Sequence, residues 1–153
     1  MLHTLRNRVS TMKTLEMIEP ETSSVVPHRA IQLPLGLLGF ERVKNYVLTA
    51  NPHEAPFQWL QMVDSAQKAF LVVSPFLVLP TYEPDIPADD VEFLGLTEPS
   101  DAQVLNICIL RKDGQATINL KGPVVINRHT GIGKQVIPNN AAQYSLRHPL
   151  PVA

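Results

Sequence analysis

The chain has 153 residues, a formal net charge of −1 and 44% apolar residues, enough for one self-sufficient core. The near-neutral charge argues against a general nucleic-acid binder that works through a basic surface. A single cysteine, Cys108, excludes an intramolecular disulfide and suits a reducing compartment, and no apolar run approaches the roughly 20 residues of a membrane helix.

Met1 to Met12 carries Arg6 and Arg8 and no acid. It lacks the apolar core of a secretory signal and reads as a loose extension over 1–13, with Met12 as an alternative start. A single domain is expected over 14–150. Thr14 to Ile18 is a weak first strand and Glu21 to Ser24 a turn. Ala30 to Leu33 is a short strand stopped by Pro34. Gly36-Leu-Leu-Gly39-Phe40 is expected to be a tight turn that plants Leu37, Leu38 and Phe40 in the core, with one helical turn over Glu41 to Asn45. Tyr46 to Thr49 is a strand, and Asn51-Pro52 opens a loop. Phe57 to Val63 is a strand with Phe57, Trp59, Gln61 and Val63 on one face, followed by a hairpin turn at Asp64-Ser-Ala. Ala69 to Val73 is apolar throughout, as a strand buried on both faces should be. Pro75 breaks it, and Phe76 to Leu79 is expected to resume extended chain.

Asp85 to Gly95 carries the clearest helix signal: Pro87 suits the first helical position, acids crowd the first turn, and Gly95 stops it. Gln103 to Leu110 is the clearest strand, in which Leu105, Ile107 and Ile109 alternate with Asn106 and Cys108. Asp113-Gly114 marks a hairpin and Gln115 to Leu120 pairs back. Val124 to Ile126 and Lys134 to Ile137 are further strands, and Tyr144 to Leu150 a docked tail. Short strands punctuated by 14 prolines and 7 glycines predict a mainly β fold. The expected form is a small antiparallel barrel or sandwich with one or two short helices.

Little in the chain carries chemistry. His3, His28, His53, His129 and His148 lack metal-ligand spacing. Cys108 lies between Ile107 and Ile109 with no cation adjacent, as a buried, inert thiol would. Gly131-Ile-Gly-Lys134 lacks the glycine spacing and the Ser or Thr of a phosphate loop. Ser65, Ser74, Ser100 and Ser145 sit in no nucleophile elbow. Asp85, Asp89, Asp90 and Glu92 do not have calcium-loop spacing and read as helix-start acids. No metal or cofactor is expected.

Charge is segregated, however. Thr81 to Asp101 holds seven acids and no base, whereas Arg111 to Arg147 holds six bases and one acid. Such blocks can serve solvation alone, or the acidic side can steer a basic partner. Tyr82, in a proline-bounded loop, is a candidate contact because aromatics anchor interfaces. Glu83, Asp85, Asp89 and Asp90 supply the acidic surface. Asn119 and Asn127 end the two apolar runs that meet at Gly122-Pro123. They either fix strand ends through side-chain bonds to the backbone or contact a partner. Two other classes stay open: a small β-barrel enzyme or ligand binder with a pocket around Asn106, Asn119 and Asn127, and a nucleic-acid module using Lys121, Arg128 and Lys134.

Several motifs follow one another in a familiar order: Leu33-Pro-Leu-Gly-Leu-Leu-Gly-Phe-Glu41, Trp59-Leu-Gln61, Ala69-Phe-Leu-Val-Val-Ser-Pro75, Pro80-Thr-Tyr-Glu-Pro-Asp85, Asn106-Ile107, Thr117-Ile-Asn-Leu-Lys-Gly-Pro-Val-Val-Ile-Asn127 and Gly133-Lys-Gln-Val-Ile137. In this order, from about Ile31 to Leu150, the chain resembles the flagellar assembly factor FliW family. It departs in having Gly122 where the family commonly has Ala, Thr81 where it has an acid, and Pro138-Asn-Asn at the usually apolar end of the last strand. The resemblance implies a cytoplasmic, non-enzymatic protein, monomeric when free, with no membrane or direct nucleic-acid partner. It further implies two protein partners: flagellin, and CsrA, the small RNA-binding repressor of flagellin translation, which the family antagonises allosterically.

Overall fold

The computed structural model describes residues 28–63 and 68–150. The expected extension, the strand at Thr14 to Ile18 and the turns at Glu21 to Ser24 and Asp64 to Ala66 lie outside those residues. The described strands are β1 His28–Gln32, β2 Asn45–Thr49, β3 Gln58–Met62, β4 Ala69–Val73, β5 Ala102–Leu110, β6 Ala116–Ile118, β7 Val124–Asn127, β8 Gly133–Gln135 and β9 His148–Pro149. Two helices, α1 Pro75–Val78 and α2 Ala88–Leu94, both fall between β4 and β5.

β1 to β5 form an antiparallel meander. β5 then pairs with both β6 and β7, β6 with β9, and β7 with β8. The sheet curls until β1 meets the approach to β8 in one parallel bridge, Gln32 to Ile132, with the Gln32 amide donating to the Gly131 carbonyl at 2.9 Å. A lone bridge is not a ladder, so the sheet is open. The mainly β antiparallel expectation holds; the closed barrel does not form.

The sheet separates apolar cores on its two faces, with a third, smaller cluster of Leu94, Val125 and Val136 beside α2. Ile31, Tyr46, Leu48, Leu60, Met62, Val72, Leu105, Val124 and Ile126 pack on one face. Phe57, Trp59, Leu71, Val73, Cys108 and Ile118 pack on the other, under Tyr82, Leu120 and Leu150. Because side chains alternate across a strand, double-sided burial explains why β4 is apolar throughout. It also corrects the expected pattern of β5. Leu105 is buried, but further along it is Asn106 and Cys108 that are buried, and Ile109 is 57% exposed. Leu105 and Ile107 face the first core and Cys108 the second, so both faces are buried until Ile109 runs past the first core.

The Thr117–Asn127 stretch is not a hairpin about Gly122-Pro123. β6 and β7 run the same way along one side of β5: Ile118 faces Cys108 and Val124 faces Leu105. Six steps on that side therefore match three on β5, and the excess is an excursion over 119–123. Three buried or half-buried groups pin it. Asn106 donates its amide to the Asn119 carbonyl at 2.8 Å, Gln135 donates to the Gly122 carbonyl at 3.1 Å, and Tyr82 donates its hydroxyl to the Leu120 carbonyl at 2.7 Å.

Other local readings need correction. Pro75 does not merely break β4: it starts α1, where its fixed φ suits the first helical turn, so Phe76 to Val78 are helical and not extended. Leu38 is 65% exposed, whereas Leu37 is buried; the turn at Gly36 and Gly39, both at positive φ, aims only one of the two leucines inward. Glu41 and Arg42 form a turn, and β2 begins at Asn45. Pro87 is the residue before α2, its carbonyl accepting from the amides of Asp90 and Val91. Gly95, at φ 67°, ends α2. Leu96 then donates to the Val91 carbonyl and Gly95 to that of Glu92, the bond pattern of a Schellman termination.

Candidate protein-interaction surface

The segment from Pro80 to Pro87 joins α1 to α2 and carries three of the residues singled out from the sequence. Tyr82 is 1% exposed, wedged between the rings of Phe76 and Tyr144 at centroid distances of 5.9 and 4.6 Å. Burial pushes its phenol above the ordinary range, with Asn106 acting in the opposite sense. Tyr82 thus holds the loop down, and its side chain presents no surface to a partner. Glu83 and Asp85 are exposed, on backbone that is fixed from both ends. The Glu83 amide donates to the Tyr144 hydroxyl at 3.0 Å and the Glu83 carbonyl accepts from the Asn140 amide at 2.8 Å. The Asp85 amide donates to Asn140 Oδ1, and its carbonyl accepts from the Asn139 amide, each at 2.8 Å. Pro138-Asn-Asn, polar where an apolar strand end was expected, is therefore the clamp for the acidic loop.

The acidic block is less free than its sequence implies. Asp89 is exposed, but Asp90 is 7% exposed and ion-paired with Lys134 of β8, whose ammonium also lies 5.7 Å from the centre of the Phe93 ring. Asp101 accepts from the Thr97 hydroxyl at 2.8 Å, the Thr97 amide at 2.9 Å and the Glu98 amide at 3.0 Å, and faces His129 Nε2 at 2.9 Å. These donors, the Thr97 hydroxyl foremost, hold its carboxyl far below the usual range. Lys134 and His129, from the basic half of the sequence, thus face acids from the other half. The acids left exposed are Glu83, Asp85, Asp89, Glu92 and Glu98.

The asparagines do not converge on a pocket. Asn127 is 4% exposed; it donates to the Leu94 carbonyl at 2.8 Å and accepts from the His129 and Thr130 amides, tying the end of α2 to the turn after β7. Asn119 accepts from the Lys121 amide at 2.9 Å within the excursion, beside Tyr82 and Asn106. Both bond to backbone, as residues that fix strand ends do. Cys108 is buried, and its thiol is pushed up to about 12 by burial. Among the described residues no group of three His, Cys, Asp or Glu could hold a metal ion, and no helix is long and apolar enough to cross a membrane.

One feature lay outside sequence reach. An open apolar groove of about 420 Å³ runs beside the acidic loop. Its walls are Phe76 of α1, Ile86, Val91 of α2 and Leu96, and its floor is Val104 and Val125, which face each other across β5 and β7. Phe76 and Leu77 are 42% and 64% exposed. An exposed apolar pair in a helical turn was the available signal, but it was masked by the expectation of extended chain there.

The FliW protein family matches residues 13–150. The chain belongs to the FliW family. It is 36% identical over 132 residues to the flagellar assembly factor FliW of Moorella thermoacetica, covering 84% of this chain and 82% of that protein. It is 37% identical over 119 residues to FliW of Thermotoga neapolitana, covering 75% and 78%. A crystal structure of the flagellar assembly factor FliW superposes with a TM-score of 0.71 at 33% identity, covering 80% of this chain and 86% of that one. The open, curled antiparallel sheet is thus shared with a solved FliW.

Proposed function

We propose that this chain acts in the cytoplasm as a non-enzymatic, protein-binding regulator. It binds flagellin and, when flagellin is scarce, the translational repressor CsrA, so that flagellin level sets flagellin translation. It is a monomer when free and does not touch RNA itself. The observation that carries the reading is the acidic loop of a FliW family member: Glu83 and Asp85 stand exposed on backbone clamped by Asn139, Asn140 and Tyr144. Pre-ordering of this kind lowers the entropic penalty of binding, and its sign complements a basic RNA-binding partner.

The test is calorimetric titration of the purified chain with flagellin and with CsrA from the same organism. Binding to neither at micromolar concentration removes the proposal. Within it, Asp85→Lys and Asp89→Lys are expected to weaken CsrA binding, increasingly at low salt. Unchanged affinity in both variants would remove the electrostatic part. Asp90 is unsuitable for charge reversal, because its ion pair with Lys134 makes any change there a change in folding.

A further inference from the structure

We infer that the groove between α1, α2 and the β5–β7 face is a docking site for an amphipathic helical segment of a protein partner, apolar on the side that enters and basic along the flank. The inference rests on the protein-binding reading above and specifies which surface performs it.

Three observations support that occupant. The groove is open and has a volume of about 420 Å³, room for several side chains of an occupant at once. Its floor and walls are aliphatic and aromatic side chains, and polar side chains enter only at one rim through Thr97 and Glu98. The floor also presents the face of the sheet, because Val104 and Val125 are partners in a ladder. An occupant therefore meets side chains, which suits a helix laying an apolar stripe into a groove.

Charge sets the flank. Glu98 lines the groove, and its wall segment Pro84 to Ile86 is bordered by exposed Glu83 and contains exposed Asp85. Among the described residues no lysine or arginine lines it. A cationic side chain beside the apolar stripe would face these carboxylates, and an acidic segment would be repelled by them.

The test uses the full chain, with CsrA and flagellin as probes in calorimetric titrations, and circular dichroism to confirm folding. Phe76→Asp is expected to weaken binding of at least one partner by about tenfold or more, the scale of losing an apolar anchor. Glu98→Lys should weaken the same partner several-fold at low salt, with the difference shrinking at high salt. Glu98 is exposed and its carboxylate bonds within its own turn, to the Ser100 hydroxyl and the Asp101 amide, so Glu98→Lys, with circular dichroism beside it, keeps the test valid if Phe76→Asp does not fold. Ile109→Asp, on an exposed part of β5 outside the groove, should bind as wild type does. Wild-type affinity for both partners in both groove variants overturns the docking site while leaving the protein-binding reading standing. A wild-type chain that binds neither partner overturns both. A photo-crosslinker at Leu77 that captures only a second copy of this chain overturns the assigned occupant.

Discussion

Replacing Tyr82 by Phe separates a structural pin from a partner contact. The substitution keeps the ring between Phe76 and Tyr144 and removes only the hydroxyl that donates to the Leu120 carbonyl at 2.7 Å. Leu120 is 1% exposed, so that carbonyl loses a donor where water cannot substitute. Leaving a buried acceptor unsatisfied costs about 1–3 kcal/mol, and a loss near 2 kcal/mol corresponds to a fall in Tm of roughly 4–8 °C for a domain of this size. Urea unfolding should show a lower midpoint at unchanged m, since the surface exposed on unfolding is the same. Partner affinity, measured well below the transition, should stay within a few-fold of wild type. Stability within about 0.5 kcal/mol of wild type would mean that Tyr82 does not pin the 119–123 excursion. Lost partner binding at full stability would mean that the hydroxyl leaves Leu120 and meets the partner directly.

Three further outcomes can be checked. Gly36→Ala should destabilise far more than Gly39→Ala: both sit at positive φ, but a Cβ at Gly36 would lie 2.6 Å from the Phe40 carbonyl oxygen and the Glu41 Cα, whereas nothing lies within 4 Å at Gly39. The backbone penalty of about 1–2 kcal/mol should account for Gly39→Ala and for at most about half of the effect at Gly36, by chemical denaturation. Asp101 has a folded-state carboxyl held far below its unfolded value. Its stabilisation is therefore fully present above the ordinary carboxylate value of about 4 and lost as pH falls below it; Asp101→Asn should flatten the acid limb of a pH–stability curve. Cys108, buried and with its thiol at about 12, should react with a thiol reagent at pH 8 only after urea unfolding, and rapid labelling of the native chain would contradict its burial.

Much of the sheet was legible because strand signals are local. β4 could be recognised from Ala69-Phe-Leu-Val-Val73, whose lack of alternation reports burial on both faces, and β5 from the alternation of Leu105, Ile107 and Ile109 with Asn106 and Cys108. Gly95 was correctly placed as a helix stop because a left-handed residue is a local requirement. What failed did so where one residue type serves two geometries. Ser74-Pro75 both ends a strand and starts a helix. In β5 the shared face of Leu105 and Ile107 was read correctly, but Ile109 runs past that core into solvent, and Asn106 and Cys108 are buried on the other face, because the strand is covered on both sides.

The sequence by itself determined that the chain is mainly β, that it carries no recognisable catalytic or metal-binding set, and that its acids and bases lie in separate blocks. It also determined family, because ordered motifs such as Thr117–Asn127 survive as strings whatever their conformation. Only the tertiary structure decided what those residues do. Lys134 lies 44 residues from Asp90 and Asn140 lies 57 from Glu83, so neither the neutralisation of one acid nor the clamping of another can be seen in one dimension. The same holds for Tyr82, an interface candidate by type that is buried by its packing. The groove, too, exists only where α1, α2 and paired strands from distant parts of the chain meet. Local patterning writes the elements, but charge state, exposure and concavity are properties of neighbours brought together by the fold.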